Sequence, residues 1–227
     1  MEFGLSESQA FLKDSARKFF AGECPSAEMR RLMETDTAYD AALWSKITEQ
    51  GYTGIIFPEA CGGVGLGKFE LMLLMEEAGR ALLPGPFFST VVLAGSVLEA
   101  VGSPAHQNKY LAPICRGEVR ATVALVEAGA SWNPRDVQLS AANGKLTGDK
   151  FFVTDAAIAD FLVVVARNGV FVVDSKARGL KYLRCPRWIL RASSTSSNSR
   201  TLRRKKSAPA VTSRELSTLP LPRWLPN

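Results

Sequence analysis

The chain has 227 residues, and 46% of them are hydrophobic, which suffices for the packed core of one substantial domain or two small ones. The formal net charge of +6 is unevenly spread, because residues 1–181 hold 18 Lys and Arg against 21 Asp and Glu, whereas residues 182–227 hold 10 against one. A single histidine and four cysteines without C-x-x-C spacing argue against a metal site or a Ser-His-Asp triad and favour reduced thiols in the cytoplasm.

Membrane insertion and secretion are not expected either. No apolar run approaches the roughly 20 residues of a membrane span. Charged side chains such as Glu2, Glu7 and Lys13 interrupt the start of the chain, unlike the apolar stretch of a signal peptide.

Residues 1–117 carry the start and stop signals of several helices. Ser6 and Gln9 form a capping box for the first helix. Gly51 is placed as the C-cap of a later helix, and Ser103-Pro104 supplies an N-cap followed by proline at the first helical position. These signals predict a helical bundle.

Two further helices are predicted from their apolar residues. One has an apolar stripe at helical spacing, opposite a charged face that includes Glu77. Its stripe consists of Leu71, Leu74, Met75, Ala78 and Leu82. Residues 87–101 are apolar nearly all round and predict a helix buried inside the bundle.

From about Glu118 the composition changes to that of strands. Residues 120–126 are rich in Val, Thr and Ala, and the apolar runs 161–165 and 170–173 flank Asn168-Gly169, which predicts a type I′ hairpin. Residues 151–154 are predicted to form another strand. The expected fold is therefore α+β, a helical bundle followed by a small antiparallel β domain.

The segment Gly62 to Lys68 matches most of a P-loop, G-x-x-x-x-G-K. Phe69 stands where a P-loop needs Ser or Thr for Mg²⁺, and helices rather than parallel strands surround the segment. We interpret it as a tight, glycine-permitted loop between two helices.

Four segments in order carry a more specific pattern. Residues 1–9 read MEFGLSESQ, residues 57–67 read FPEACGGVGLG, residues 109–118 read KYLAPICRGE and residues 146–156 read LTGDKFFVTDA. The last three are similar to the motifs PEEYGGxGLG, KYLP…GE and LxGxKxWITNA. Together they resemble the first two domains of the acyl-CoA dehydrogenases.

The resemblance implies an FAD-dependent enzyme that removes hydrogen from the α and β carbons of an acyl-CoA thioester, in lipid or steroid breakdown. It implies that backbone groups of Leu125 and Val126 contact the isoalloxazine, that Trp132 lies near the pyrophosphate, and that Phe152, Val153 and Thr154 pack beside the ring. It further implies that Phe88, Ser89 and Leu93 line the acyl channel. Without the resemblance, apolar residues on a strand are most often packing.

One departure from the family pattern concerns residues 126–134. They read VEAGASWNP where most members have TEPxAGSD. This resembles a divergent branch with EPGGRWDP, which is associated with CoA-thioester breakdown, including that of steroids.

The resemblance also implies what this chain lacks. The family's base is a glutamate in a third, helical domain, and we find no substitute within residues 1–181, so no catalytic residue is assigned. The expected partners are an acyl-CoA substrate, an electron-transfer acceptor and further subunits in a homo- or hetero-oligomer, with no nucleic acid.

Two hypotheses account for the basic residues 182–227. A disordered basic arm would make the chain a non-catalytic partner or a nucleic-acid-binding protein. Alternatively, loss of one base after the Lys181 codon shifts the frame, and the original frame then permits VSALPAMDPARKLY, similar to the family's continuation VxxLPxMDxTRKLY. We therefore expect a helical domain at 1–117, a partial β domain at 118–181, and an aberrant, disordered basic tail at 182–227. The chain as a whole is then expected to be truncated and inactive.

Overall fold

The structure, a computed structural model, describes residues 4–183, 211–212 and 217–219. Predictions for the rest of the basic segment lie outside the described residues. Its helices are α1 (Glu7–Glu23), α2 (Ser26–Glu34), α3 (Ala41–Glu49), α4 (Lys68–Arg80), α5 (Ser96–Val101) and α6 (Pro104–Cys115). A π-helical segment, Phe88–Gly95, runs directly into α5, and short 3₁₀ turns lie at Tyr52–Gly54, Glu59–Cys61 and Pro134–Asp136.

The predicted helix ends are confirmed where their capping chemistry is strong. The Ser6 side chain accepts from the Gln9 N–H while the Gln9 side chain accepts from the Ser6 N–H, which completes the capping box. Gly51 follows α3 with φ of 74°, a left-handed conformation that glycine adopts without steric cost. Ser103 caps α6 ahead of Pro104.

Helix α4 differs from its predicted amphipathic pattern at two residues. Leu71, Leu74 and Ala78 are buried as expected, but the helix ends at Arg80, and Leu82 is 75% exposed. Glu77, assigned to the charged face, is fully buried with Leu74. The reason is a pair of arginines, Arg17 and Arg80, that bind its carboxylate from the helix surface.

The predicted helix at 87–101 is present but changes type along its length. Its first part is the π-helical segment, and regular α-helix begins only at Ser96. Val91, Ala94 and Leu98 are fully buried, so the prediction of a helix inside the bundle is confirmed. A π-helical stretch widens the helix locally and is frequent at functional sites.

The β part consists of strands β1 (Ala121–Ala124), β2 (Ala141–Ala142), β3 (Lys145–Leu146), β4 (Phe161–Ala166), β5 (Gly169–Asp174), β6 (Val211–Thr212) and β7 (Ser217–Leu219). One sheet has the order β1-β4-β5-β7 and the other β2-β3-β6. The α+β class is confirmed, but β1 pairs with β4 in parallel, so the larger sheet is mixed rather than purely antiparallel. The two short C-terminal strands lie in the segment that we expected to be disordered.

The larger sheet is buried on both faces. Phe161 and Val163 of β4 join the core of the helical bundle, whereas Leu162 and Val164 pack in a second cluster with Phe171 on the other side. Burial on both faces explains the unbroken apolar run of this strand.

The β4–β5 hairpin forms where predicted, but its turn is one residue earlier. Ala166 pairs with Gly169, so Arg167 and Asn168 are the loop residues and the type I′ assignment of Asn168-Gly169 is wrong. The Asn168 side chain is used instead to bind the backbone of Ala141, at 2.8 and 2.9 Å. The turn with two left-handed residues is Asn143-Gly144, with φ of 51° and 70°, between β2 and β3.

The Gly62–Lys68 segment is the tight loop that we predicted. It joins a 3₁₀ turn to α4, with no strand before it, and Gly62 and Gly65 have left-handed φ of 79° and 73°. A Cβ on Gly63 would lie 2.1 Å from the Phe57 carbonyl oxygen, so only glycine fits this approach.

Three of the cysteines, Cys24, Cys61 and Cys115, are free and buried, and Cys185 lies outside the described residues. Over the described ranges, no helix has the length and apolarity needed to cross a membrane. No group of metal-ligating side chains is found among the same residues.

Candidate functional site

The predicted cofactor contacts fall on the connection between β1 and β4. Leu125 and Val126 directly follow β1, whereas Phe152 to Thr154 lie between the β2–β3 hairpin and β4. Residues 151–154 form no strand, in contrast to the sequence-based expectation. This segment instead returns along the end of β1, where the Phe151 N–H donates to the Val126 carbonyl at 2.8 Å.

A partly buried lysine, Lys150, fixes the beginning of this connection. Lys150 Nζ donates to the Leu125 carbonyl at 2.9 Å and to Glu127 Oε1 at 2.8 Å. The other bonds of Glu127 come from the N–H groups of Gln138 and Leu139, at 2.9 and 3.0 Å. The carbonyls of both Leu125 and Val126 are thus already engaged within the chain.

The Lys150–Glu127 pair has electrostatic consequences for both partners. Burial lowers the pKa of the Lys150 ammonium, and the Glu127 carboxylate acts in the opposite direction. Burial works to raise the pKa of Glu127, but the ammonium and the two backbone N–H groups bring it below its ordinary value. Each charge thus favours the ionised form of the other, and the hydrogen bonds of the pair fix the loop.

The side chains of Phe152 and Thr154 are exposed to solvent. Phe152 is 63% exposed and has φ of 53°, a left-handed conformation that is costly for a bulky side chain. The Thr154 carbonyl accepts from Thr122 Oγ1 at 2.6 Å, and its exposed hydroxyl makes no hydrogen bond within the described part of the chain. Val153, between them, is partly buried against the Leu162 cluster. A strained, exposed aromatic beside a free hydroxyl is an arrangement that functional sites retain.

Trp132 lies in the loop that Glu127 anchors and is 64% exposed. The residues before it, Ala128, Gly129 and Ala130, are small and exposed, and a Cβ on Gly129 would meet nothing within 4 Å. The backbone of this loop is therefore open to close approach by a ligand.

The three predicted channel residues do not share one environment. Phe88 is 44% exposed, Leu93 is partly buried, and Ser89 is fully buried. The Ser89 hydroxyl lies 3.1 Å from the Pro86 carbonyl and 2.7 Å from Asp155 Oδ2, so it faces the interior.

Hydroxyl groups connect the π-helical segment, β1 and the Phe152 segment. Thr90 Oγ1 donates to the Ala121 carbonyl at 3.1 Å and accepts from the Ala121 N–H at 3.0 Å. Thr122 binds the Thr154 carbonyl, and Ser89 binds Asp155. Sequence reasoning missed Thr90, Thr122 and Asp155, because a Ser or Thr in an apolar run gives no signal of its partner.

The chemistry of the residues around Phe152 suits one face of a flavin. Phe152 and Val153 offer an apolar surface, the Thr154 hydroxyl offers a hydrogen bond, and the residues before Trp132 are small and exposed. The Leu125 and Val126 carbonyls are engaged internally, so their contribution would come from other backbone atoms.

Comparison with known families gives a match over residues 6–118 to the family model described as "Acyl-CoA dehydrogenase, N-terminal domain". The chain is 34% identical over 165 residues to acyl-CoA dehydrogenase FadE28 of Mycobacterium tuberculosis, a match that covers 71% of this chain and 48% of the relative. It is 31% identical over 211 residues to (R)-benzylsuccinyl-CoA dehydrogenase of Thauera aromatica, covering 80% of this chain and 52% of that protein.

Solved structures give the same picture. A variant of the Tcur3481-Tcur3483 steroid acyl-CoA dehydrogenase (ACAD) superposes with a TM-score of 0.70 at 29% identity, covering 79% of this chain and 51% of that one. The ChsE4-ChsE5 complex from Mycobacterium tuberculosis also gives a TM-score of 0.70, at 28% identity, over 79% of this chain and 50% of that chain. The chain thus spans about half the length of the relatives that it matches.

Proposed function

Because this chain belongs to the acyl-CoA dehydrogenase family, we propose that its described part supplies one face of an FAD site for α,β-dehydrogenation of acyl-CoA thioesters. The observation that carries the proposal is Phe152, exposed in a left-handed conformation, next to a Thr154 hydroxyl without a partner among the described residues. These two residues occupy the motif LTGDKFFVTDA, which is similar to the family's LxGxKxWITNA.

The domain division follows the same proposal. Residues 1–117 form the helical domain, and residues 118–181 form the beginning of the middle β domain. The proposal is supported by the change from α6 to β1 just after Gly117 and by the family match that ends at residue 118.

The chemistry supplied by bound FAD would be that of a hydride acceptor for the substrate's β-carbon. The role of this chain's residues would be to orient the cofactor: Phe152 and Val153 would pack against the ring, and the Thr154 hydroxyl would donate to a polar edge atom. Lys150 and Glu127 hold the neighbouring loop, and Trp132 on that loop would contribute to the pyrophosphate end of the site.

We assign no base to the described residues. The carboxylates on the β1–β4 connection nearest in sequence to the proposed contacts are both engaged, Glu127 by Lys150 and Asp155 by Ser89. Removal of the α-proton needs a carboxylate within hydrogen-bond reach of it. We therefore propose that this chain alone does not turn over acyl-CoA.

The substrate class is proposed from the relatives. One relative is named for benzylsuccinyl-CoA, and one structural neighbour is a steroid acyl-CoA dehydrogenase. We propose a ring-bearing acyl group, which Phe88 can contact because it is exposed on the π-helical segment. Ser89 and Leu93 are assigned to the support of this surface, since Ser89 is buried.

Assembly with other subunits belongs to the proposal as well. One structural neighbour is a complex of two different chains, and another is named as an electron transferring flavoprotein of Acidaminococcus fermentans. An exposed apolar side chain such as Leu82, which is 75% exposed, would be covered by such a subunit.

The test is a titration of FAD with the purified chain, followed by flavin fluorescence. We expect weak, saturable binding, because the described residues supply only one side of the site and Phe152 remains largely exposed. The variant F152A should weaken binding by roughly two- to tenfold, the value of about 0.5–1.5 kcal/mol for an aromatic contact. T154V should have a similar effect through the lost hydrogen bond.

The matched control is F11A, which removes an aromatic that is 75% exposed on α1, away from the β1–β4 connection. It should leave FAD binding unchanged. Absence of saturable FAD binding, or an equal loss of FAD affinity in F11A and F152A, would contradict the assignment of Phe152 to the FAD site. Turnover of a panel of acyl-CoA thioesters with an artificial acceptor would contradict the absence of a base.

A further inference from the structure

Thr122 on β1 is fully buried, and its side chain holds the segment 151–154, which carries the proposed cofactor contacts. The Thr122 hydroxyl donates to the Thr154 carbonyl at 2.6 Å. Among the described residues, one further hydrogen bond holds the backbone of this segment, from the Phe151 N–H to the Val126 carbonyl at 2.8 Å. Both bonds are made to β1 or to the residues that directly follow it, so this strand is the support of the whole segment.

Strand β1 is itself fixed at Ala121, the residue before Thr122. Thr90 Oγ1, on the π-helical segment, accepts from the Ala121 N–H at 3.0 Å and donates to the Ala121 carbonyl at 3.1 Å. On the side of β4, Ala121 pairs with Phe161 and Thr122 pairs with Leu162. The Thr122 hydroxyl is therefore presented by a strand that is held on both edges, and such support keeps a group in one geometry.

The bond to the Thr154 carbonyl also determines the direction of the Thr154 side chain. This carbonyl belongs to the planar peptide group between Thr154 and Asp155, so fixing it restricts the backbone of both residues. Phe152 and Asp155 have left-handed φ of 53° and 55°, and such conformations persist only where surrounding contacts hold them. The exposed Thr154 hydroxyl thus takes its orientation from a bond made on the buried side of the same residue.

We propose that Thr122 is a positioning residue, whose hydroxyl orients the Thr154 hydroxyl for FAD by holding the Thr154 carbonyl. Thr122 is fully buried, so it acts through Thr154 and not by a contact of its own with the cofactor. The consequence for FAD rests on the proposed function, whereas the tether between Thr122 and Thr154 does not.

Three substitutions separate the hydroxyl of Thr122 from its shape and its burial. T122V keeps the branched shape but places a methyl group against the Thr154 carbonyl, where carbon and oxygen need about 3.3–3.6 Å instead of the present 2.6 Å. T122S keeps the donor. T53V is the matched control, because Thr53 is also fully buried and donates to a backbone carbonyl, that of Cys115 at 2.8 Å, but inside the helical domain.

The first measurement does not involve FAD. NMR of the full chain observes the Thr154 carbonyl carbon and the methyl groups of Val153 and Thr154. We expect these resonances to shift in T122V and to stay near their parent positions in T122S, because the parent and T122S share the hydroxyl. T53V should leave them unchanged, although it removes an equally buried bond. Parent-like resonances in T122V, or an equal shift in T53V, would overturn the tether.

The second measurement is the titration of FAD followed by flavin fluorescence. T122V should weaken FAD binding by roughly two- to tenfold, the value of one hydrogen bond, because the Thr154 hydroxyl is displaced. T122S and T53V should bind FAD as the parent chain does. Parent-like affinity in T122V would contradict the positioning role. An equal loss in T53V would contradict it too, because the loss would then follow from reduced stability in general.

The double variant T122V/T154V tests whether Thr122 acts through Thr154. Once T154V has removed the hydroxyl, T122V should weaken FAD binding no further, so the two losses should not add. Additive losses would mean that Thr122 acts by another route and would contradict the proposal. An absence of saturable FAD binding in the parent chain and all variants would sink the proposed function, while the NMR comparison would still decide whether Thr122 holds Thr154.

Discussion

Glu77 is a buried carboxylate between two arginines whose own side chains are about half exposed. Arg17 binds it through two N–H groups at 2.7 and 3.1 Å, and Arg80 adds a third at 2.9 Å. The hydrogen bond from Arg17, with further help from Arg80, lowers the pKa of Glu77 to about 2, although burial acts to raise it. Helix α4 is thereby tied to α1.

We predict that E77Q destabilises the chain by about 1.5–3 kcal/mol at neutral pH, the range for a hydrogen bond to a charged group. The depressed pKa means that the contribution of Glu77 is complete above its unfolded value of about 4.3 and is lost as the pH falls towards about 2. Urea unfolding of E77Q should therefore approach that of the parent chain in acid.

The neighbouring residue provides the control for this prediction. Glu76 forms an ion pair with Lys13 at 2.8 Å, but its side chain is 56% exposed. E76Q should therefore change stability by less than about 1 kcal/mol. Equal losses in E76Q and E77Q, or a pH-independent difference for E77Q, would contradict the role given to burial.

At the scale of an element, the β1–β4 connection depends on the Lys150–Glu127 pair. We predict that K150M destabilises the chain by about 3–5 kcal/mol, because it leaves a partly buried carboxylate without its cation. The N–H groups of Gln138 and Leu139 donate to the Glu127 carboxylate. Amide hydrogen exchange at these two residues should therefore be faster in K150M.

K145M is the matched substitution, since Lys145 is exposed on β3 and its side chain forms none of these bonds. It should leave exchange at Gln138 and Leu139 unchanged. Protection at these amides that survives in K150M would show that the loop is held by other contacts.

How far the fold could be predicted depends on how local its causes are. The Ser6 capping box and the Ser103-Pro104 start of α6 were predicted correctly, because the interacting groups lie within three residues of each other. The apolar run at 161–165 likewise predicts a buried strand. Local chemistry of this kind can be read from a single chain.

The misjudged residues have distant partners. Glu77 was placed on a solvated face, because nothing near it in sequence indicates that Arg17 lies 60 residues away in the chain and reaches it. The β4–β5 turn lies one residue earlier than predicted, since the Asn168 side chain binds Ala141 in another hairpin. A pattern of residue types gives no account of such partners.

The site follows the same division. The motif resemblance pointed to Phe152 and Thr154, and the structure brings both to the surface on one segment. The left-handed conformation of Phe152, the burial of Ser89 and the bond to Asp155 depend on how the segment meets the helical domain. Periodicity instead predicted a strand there.

At the scale of the whole molecule, the composition changes sharply after Lys181. We predict that restoring one base after the Lys181 codon opens a frame that encodes VSALPAMDPARKLY and continues into a helical domain. Sequencing the gene through this codon checks the prediction. Wobble bases that spell no such string, or an early stop in the restored frame, would contradict it and favour a native basic arm.

The parallel pairing of β1 with β4 has a kinetic consequence. Ala121 pairs with Phe161, about 40 residues onward, whereas β4 and β5 are joined by two residues. A short hairpin closes in roughly 1–10 μs, but pairing across a long connection must first overcome the entropy of loop closure. We therefore expect the β4–β5 hairpin to precede the docking of β1 during folding. The connection with Phe152 and Thr154 would then be among the last parts to take its native shape, so a newly made chain would acquire its fold before it acquires its site.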